Sequence, residues 1–246
     1  MIILCGDIEM NVALIIAGGI GSRTRQYIPK QFISVLDKPI IIYTLEKFQI
    51  HQEVDVIEVV CLEGWENMLQ AYAKQYGIAK LEIVVAAGES SQESIYKGLI
   101  SLKGRCKSED IIVIHDGIRP MVSLDIITSC IETCKRYGNG ISSLPIYEQI
   151  FRTDDGETSQ KYIPRETLRI VQTPQAYFYQ NIMDIYEKGF MEGKGLHPSA
   201  YANTLMADMK KTIHFSGGST KNIKITTADD IDMFKAMLLQ DNGIGE

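Results

Sequence analysis

Glycines at positions 18, 19 and 21 are followed by Arg23, Arg25 and Lys30, three cations within eight residues. Glycine permits φ > 0 and lets a ligand approach the main chain closely. A row of backbone N–H groups in such a turn can hold phosphate oxygens. Donors for oxygens and cations for charge are together what a triphosphate requires. The plain alternative is a tight strand-to-helix turn with surface cations, because glycine turns are common punctuation. Gly19-x-Gly21 opens like a dinucleotide fingerprint, but Thr24 occupies the third glycine's place and no ribose-binding acid follows. No Walker A pattern occurs in the chain.

Three more stretches carry groups suited to anionic substrates: His115-Asp116-Gly117-Ile118-Arg119-Pro120, Thr173-Pro174-Gln175 and Asn222-Ile223-Lys224-Ile225-Thr226. Each has a plainer reading. Asp116 would merely cap the segment after a strand, and Lys224 would be an edge-strand lysine. His51, His115 and His214 read as packing or surface residues. Trp65, Tyr72 and Tyr76 read as packing on a helix. Asp229, Asp230 and Asp232 suit a helix N-terminus.

The elements that must position these residues alternate. Val12–Ile16 reads as a buried strand, Pro39–Phe48 as a helix, Asp55–Cys61 as a strand and Trp65–Tyr76 as a helix ending at Gly77. Leu81–Ala86 and Asp110–His115 are strands, with a helix over Gln92–Leu102 between them. Leu124–Tyr137 is a helix closed by Gly138, and Gly140–Leu144 a short strand. The pattern predicts an α/β domain with a mostly parallel sheet, whose ligands sit at the carboxyl ends of the strands. The glycine turn, Gly88-Glu89-Ser90-Ser91 and the Asp116 segment all lie there. Between Ile146 and Val171 the alternation breaks. Glu148–Arg152 and Lys161–Ile163 flank Thr153-Asp154-Asp155-Gly156-Glu157, a hairpin signal. Beyond it come a helix at Asn181–Glu192, a helix over Pro198–Met209, strands at Thr212–Phe215 and Asn222–Thr226, and a helix at Asp229–Leu239 capped by Thr227. The expected division is an N-terminal extension at 1–10, one domain at 11–240 with an arm at about 146–170, and a tail at 241–246.

The chain has 246 residues, 45% of them hydrophobic, which suits one large domain. A net charge of −6 argues against a nucleic-acid partner. Five cysteines without a CxxC pair suit a reducing cytoplasm, with Cys130 and Cys134 as core residues. No run of 18 apolar residues exists, so no membrane span is expected.

The four motifs, in this order, resemble those of the cytidylyltransferases that act on polyol phosphates, over Asn11 to about Leu239. That family includes the 2-C-methylerythritol 4-phosphate and the ribitol 5-phosphate enzymes. The resemblance implies a Rossmann-like, mostly parallel sheet flanked by helices, of the nucleotide-diphospho-sugar transferase type, with a projecting β-hairpin arm. It implies that Ala17, Gly18, Gly19 and Gly21 contact CTP through their backbone, and that Arg23 and Lys30 hold the triphosphate. Gly88 and Ser94 match the cytosine-reading segment, although Ser91 stands where the family often has an arginine. Asp116 and Arg119 match residues that hold the polyol, Asp116 also near Mg²⁺ and CTP. Thr173 matches a substrate contact, and Lys224 a lysine between the two phosphates. Arg165 matches an arginine of the arm that reaches the neighbouring subunit's site in a homodimer.

The substrate expectation rests on departures from the methylerythritol pattern. His197-Pro198-Ser199-Ala200-Tyr201 replaces a segment with a threonine and acidic neighbours, and Gln149 replaces an arm threonine. Glu148–Phe151 and Tyr162–Arg169 look like the ribitol 5-phosphate branch. An unbranched pentitol needs a longer, more polar pocket, and Gln149, His197, Ser199 and Tyr201 would supply it. The alternative is 2-C-methyl-D-erythritol 4-phosphate. A nicotinamide oxidoreductase would need the missing third glycine, and a dead scaffold would not keep Arg23, Lys30, Arg119 and Lys224.

Overall fold

A computed structural model describes residues 9–19, 28–194 and 201–241. β1 (Asn11–Ala17) leads into a short hairpin, β2 (Ser34–Val35) and β3 (Lys38–Pro39), and then α1 (Ile40–Ile50). β4 (Val56–Cys61), α2 (Glu66–Gln75), β5 (Leu81–Ala86), α3 (Ser91–Ser101), β6 (Ile111–Asp116), α4 (Leu124–Tyr137) and β7 (Asn139–Pro145) follow. The arm carries β8 (Ile150–Arg152) and β9 (Lys161–Ile163). β10 (Arg169–Phe178), α5 (Tyr179–Met191), α6 (Ala202–Asp208), β11 (Phe215–Gly217) and α7 (Ala228–Asp241) complete it.

The main sheet runs β11-β7-β10-β6-β1-β4-β5. It is parallel except for β10, which pairs antiparallel with β6 and β7. Helices cover both faces, which is why its central strands are continuous apolar runs. On one face Ile15, Val59 and Val113 pack against Leu45 and Phe48 of α1, Leu69 of α2 and Ile127 of α4. On the other, Leu14, Val60 and Ile112 pack against Leu99 of α3 and Ile182 and Tyr186 of α5. A third cluster gathers Ile40, Ile118, Ile225 and Phe234 beneath the strand ends. Cys130 and Cys134 are buried in the first of these clusters. Ser90 and Ser123 accept backbone N–H bonds at the starts of α3 and α4, and Gly138 ends α4 in the left-handed conformation.

Three sequence expectations are corrected. Asn222–Thr226 forms no strand. Its polar groups are claimed instead by Arg119, Gln172, Thr173 and the Ile118 carbonyl, so no ladder is available to it. The strand expected at Thr212–Phe215 lies at Phe215–Gly217, because Asn139 takes the Thr212 carbonyl and the His214 N–H. The helix expected from Pro198 begins at Ala202, behind an extended Tyr201; residues 198–200 lie outside the described residues. β10 was not read from the sequence, since Pro174 argues against a central strand. The register shifts between Val171 and Gln175, which accommodates it. Among the described residues no helix is long and apolar enough to cross a membrane.

Candidate active site

Ile16 is in register with Asp116, so the end of β1 and the end of β6 lie side by side. Ala17 closes β1, and its carbonyl accepts a bond from Gln31 Nε2 at 2.7 Å. The same nitrogen reaches the Gly19 carbonyl at 3.1 Å. Gln31 is thus a buried brace for the glycine loop, a role the sequence reading did not assign to it. A Cβ on Gly18 would lie 2.3 Å from the Ala87 Cβ, whereas one on Gly19 would meet nothing within 4 Å. Neither glycine has a positive φ. The first is needed for close approach, not for a left-handed turn, and the second leaves its side of the loop bare. Lys30 opens the 3-10 turn Lys30–Phe32 and is half-buried. Phe32 behind it stacks on Trp65, with ring centroids 4.8 Å apart. Gly21 and Arg23 lie outside the described residues.

The Ala87 contact brings the second loop against the first. Gly88 N–H donates to Ser94 Oγ at 3.0 Å, and Ser94 Oγ donates to the Ser90 carbonyl at 2.8 Å. Gly88 and Ser94 are therefore one unit at the start of α3, a single loop away from Gly18.

Asp116 is the centre of the arrangement, only 5% exposed. Arg119 Nε donates to its Oδ2 at 3.0 Å, and Lys224 Nζ donates to its Oδ1 at 3.1 Å. Its backbone N–H donates to Thr173 Oγ1 at 3.1 Å. Burial alone would raise the Asp116 pKa, but the Lys224 and Arg119 charges overcome it and hold the carboxyl at about 2. Lys224 is pulled the other way. Burial would lower its pKa, yet Asp116 and Tyr201 leave it raised, so the ammonium persists across the neutral range. Arg119 Nη1 donates to the Asn222 carbonyl at 2.7 Å, and Asn222 Nδ2 donates to the Thr173 carbonyl at 2.8 Å. These bonds gather Asp116, Arg119, Thr173 and Lys224 from three distant segments. His115 is fully buried, and desolvation lowers its pKa to about 4. Burial thus favours the neutral imidazole, whose Nε2 lies 3.2 Å from the Arg119 carbonyl oxygen.

Tyr201 joins this cluster. Of the four residues expected to line a polyol pocket, Gln149 is exposed on the arm, and His197 and Ser199 lie outside the described residues. Among the described residues, Arg165 is not brought to Asp116 by any bond. Its Nη1 donates to the Tyr147 carbonyl at 2.6 Å, and it approaches Glu166 at 3.6 Å.

For Mg²⁺, no group of three His, Cys, Asp or Glu side chains among the described residues forms a cage. Asp116 alone fits the ion's habit of taking one or two carboxylates and completing its shell with phosphates and waters. A lone carboxylate between two cations suits an ion that arrives with its phosphates.

The family profile described as IspD, 2-C-methyl-D-erythritol 4-phosphate cytidylyltransferase, matches residues 11–240. The chain is 46% identical over 229 residues to a protein of Lacticaseibacillus paracasei named ribitol-5-phosphate cytidylyltransferase, covering 93% of this chain and 98% of that one. It is 33% identical over 228 residues to a 2-C-methyl-D-erythritol 4-phosphate cytidylyltransferase of Clostridium botulinum, covering 93% and 97%. The crystal structure of 4-diphosphocytidyl-2C-methyl-D-erythritol synthase from Anaerococcus prevotii shares the fold, with a TM-score of 0.79 at 23% identity, over 94% of this chain and 98% of that one.

Proposed function

The chain belongs to the IspD family of cytidylyltransferases, and on that premise we propose that it transfers CMP from CTP to D-ribitol 5-phosphate, giving CDP-ribitol and pyrophosphate. It is a CTP-dependent nucleotidyltransferase. The observation that carries the site assignment is the buried Asp116 joined to Lys224 and Arg119 beside the glycine loop. An oxygen of the polyol phosphate attacks the α-phosphorus of CTP. A new P–O bond forms, the α–β bridge breaks and pyrophosphate carries the electrons away. Both reactants are anions, so the protein's work is to position and neutralise. No side-chain nucleophile is required.

In this reading the backbone of Ala17, Gly18, Gly19 and Gly21 cradles the triphosphate. Arg23 and Lys30 neutralise it, and Gly88 and Ser94 read the cytosine. Arg119 and Thr173 hold the polyol phosphate, and Lys224 stands between the two phosphates. Asp116 holds Mg²⁺, which when bound neutralises triphosphate charge. Residues 11–240 work as one domain, in the cytoplasm, as a homodimer through the arm. Tyr147, Phe151 and Tyr162 on that arm are 73%, 58% and 66% exposed, and such a cluster suits a partner's surface. Arg165 at the arm's base then completes the neighbour's site. Ile146 and Ile150 beside those aromatics are half-exposed.

Ribitol is favoured over methylerythritol by the 46% against 33% identity to the two named relatives. Pyrophosphate release with CTP and each polyol phosphate, side by side, tests both parts. The expected outcome is higher kcat/KM with ribitol 5-phosphate and little use of ATP in place of CTP. A clear preference for methylerythritol phosphate overturns the substrate, and no release with either overturns the activity.

A further inference from the structure

Tyr201 occupies a place that phosphate chemistry alone does not require. Lys224 Nζ donates to its hydroxyl oxygen, and that hydroxyl lies 3.4 Å from Asp116 Oδ1, placed to donate to it. Since Lys224 Nζ also donates to Asp116 Oδ1, the three groups are each within hydrogen-bond reach of the other two. Tyr201 is itself pinned. Gln92 Nε2 donates to its carbonyl at 3.0 Å, and Gln92 is buried in the first turn of α3 with its Oε1 taken by the hydroxyl of the fully buried Tyr186. Two residues further on, Asn203 Oδ1 accepts from Gln175 Nε2 at 3.3 Å. The start of α6 is therefore fastened both to α3 and to β10.

A lysine has a flexible four-carbon stem and about 2 kcal/mol of rotamer entropy to lose. An ammonium that must meet charge developing between two phosphates works best when its place is set beforehand. Asp116 by itself would draw Lys224 onto the carboxylate. A neutral phenol beside it supplies a second acceptor without adding negative charge to a site meant for phosphates. We propose that Tyr201 is a positioning residue for Lys224, and that through Gln92 it ties the lysine's setting to α3, the helix whose first turns carry Ser94. The proposal rests on the reading of Lys224 as the lysine between the phosphates.

Tyr201→Phe removes the hydroxyl and keeps the ring. Hydrogen bonds to charged groups contribute enough that kcat should fall about 10-fold or more, with KM for CTP and for the polyol phosphate each within about two-fold of wild type. Acetylation of Lys224 by a water-soluble ester at a single neutral pH, followed by mass spectrometry of its peptide, reads the lysine without any substrate. Lys224 should label several-fold faster in the variant, while Lys135, ion-paired to Glu53 at the surface, serves as the unchanged reference. Unchanged Lys224 labelling overturns the proposal, as does faster labelling with wild-type kcat. A change confined to KM for the polyol phosphate overturns it in favour of direct substrate contact. Should the wild-type protein turn over neither polyol phosphate, the substrate reading fails, and the labelling arm still decides whether Tyr201 holds Lys224.

Discussion

Asp116 and Asp155 are both held below the ordinary carboxylate range, by opposite means. Asp116 is buried, and Lys224 from a distant segment together with Arg119 three residues on outweighs its desolvation. Asp155 is in water at the tip of the arm, lowered by bonds from Thr158, Glu157 and Thr153, all within three residues of it. The first belongs to a cluster that exists only when β6, β10, the 222–224 segment and α6 have all docked. The second belongs to a turn that builds itself. A region tied down by distant contacts can hold reactive charge in a fixed place. A region held by its own turn, with aromatic side chains left exposed, is suited to a partner's surface.

The sharpest break of that contrast comes from the cations. Lys30→Ala and Lys224→Ala should each lower kcat by on the order of 10²–10³, the usual loss for a group that meets developing charge. They should differ in stability. Lys224→Ala leaves the buried Asp116 with Arg119 as its one remaining ion pair among the described residues, and should cost about 1–3 kcal/mol in a urea titration. Lys30 is half-buried at the start of a short 3-10 turn, and the loss of a partly exposed cation should move the midpoint less. Wild-type turnover in either variant would remove the residue from the site.

Next in size is the arm. Arg165→Ala alone should depress activity without lowering the unfolding midpoint, because its bonds in the chain are to an exposed carbonyl and Glu166. Mixing it with Lys30→Ala protein, with subunit exchange demonstrated, should restore part of the activity if sites are shared across a dimer. Absence of recovery would mean that each site is built from one chain.

The smallest effect separates the two aspartates by pH. The folded pKa of Asp116, about 2, lies below the ordinary 3.8. Its ionised form therefore supports the fold above pH 3.8, and that support is lost as pH falls toward 2. Asp116→Asn should flatten the acid side of a stability profile in that window. Asp155→Asn should change the profile less and leave turnover at neutral pH intact, because water competes for every bond of an exposed turn. Equal profiles for the two variants would erase the distinction.

The same division decides what could be read from the sequence. Apolar runs marked β1, β4, β5 and β6, and Gly138 closed α4, because those signals act within a few residues. The arm's hairpin was legible for the same reason, through Asp155 and Gly156. The glycine loop, Asp116, Arg119, Thr173 and Lys224 were legible as motifs, and a resemblance supplied their roles. Lys224, however, looked like a strand residue. Its segment's conformation depends on Arg119 and Thr173, 103 and 49 residues away from Asn222 in sequence. Gln31 as a brace, Gln92 and Gln175 as anchors, and Tyr201 on Lys224 left no local signal at all. A polar side chain's partner is set by which segments meet in space, and buried polar groups must find one. Sequence by itself determined β1, β4 to β7, α1 to α4, the arm and the residue types of the site. Only the tertiary structure decided that Lys224, Thr173 and Tyr201 would gather around the buried Asp116, because Arg119 comes from its own segment but the second cation lies 108 residues away.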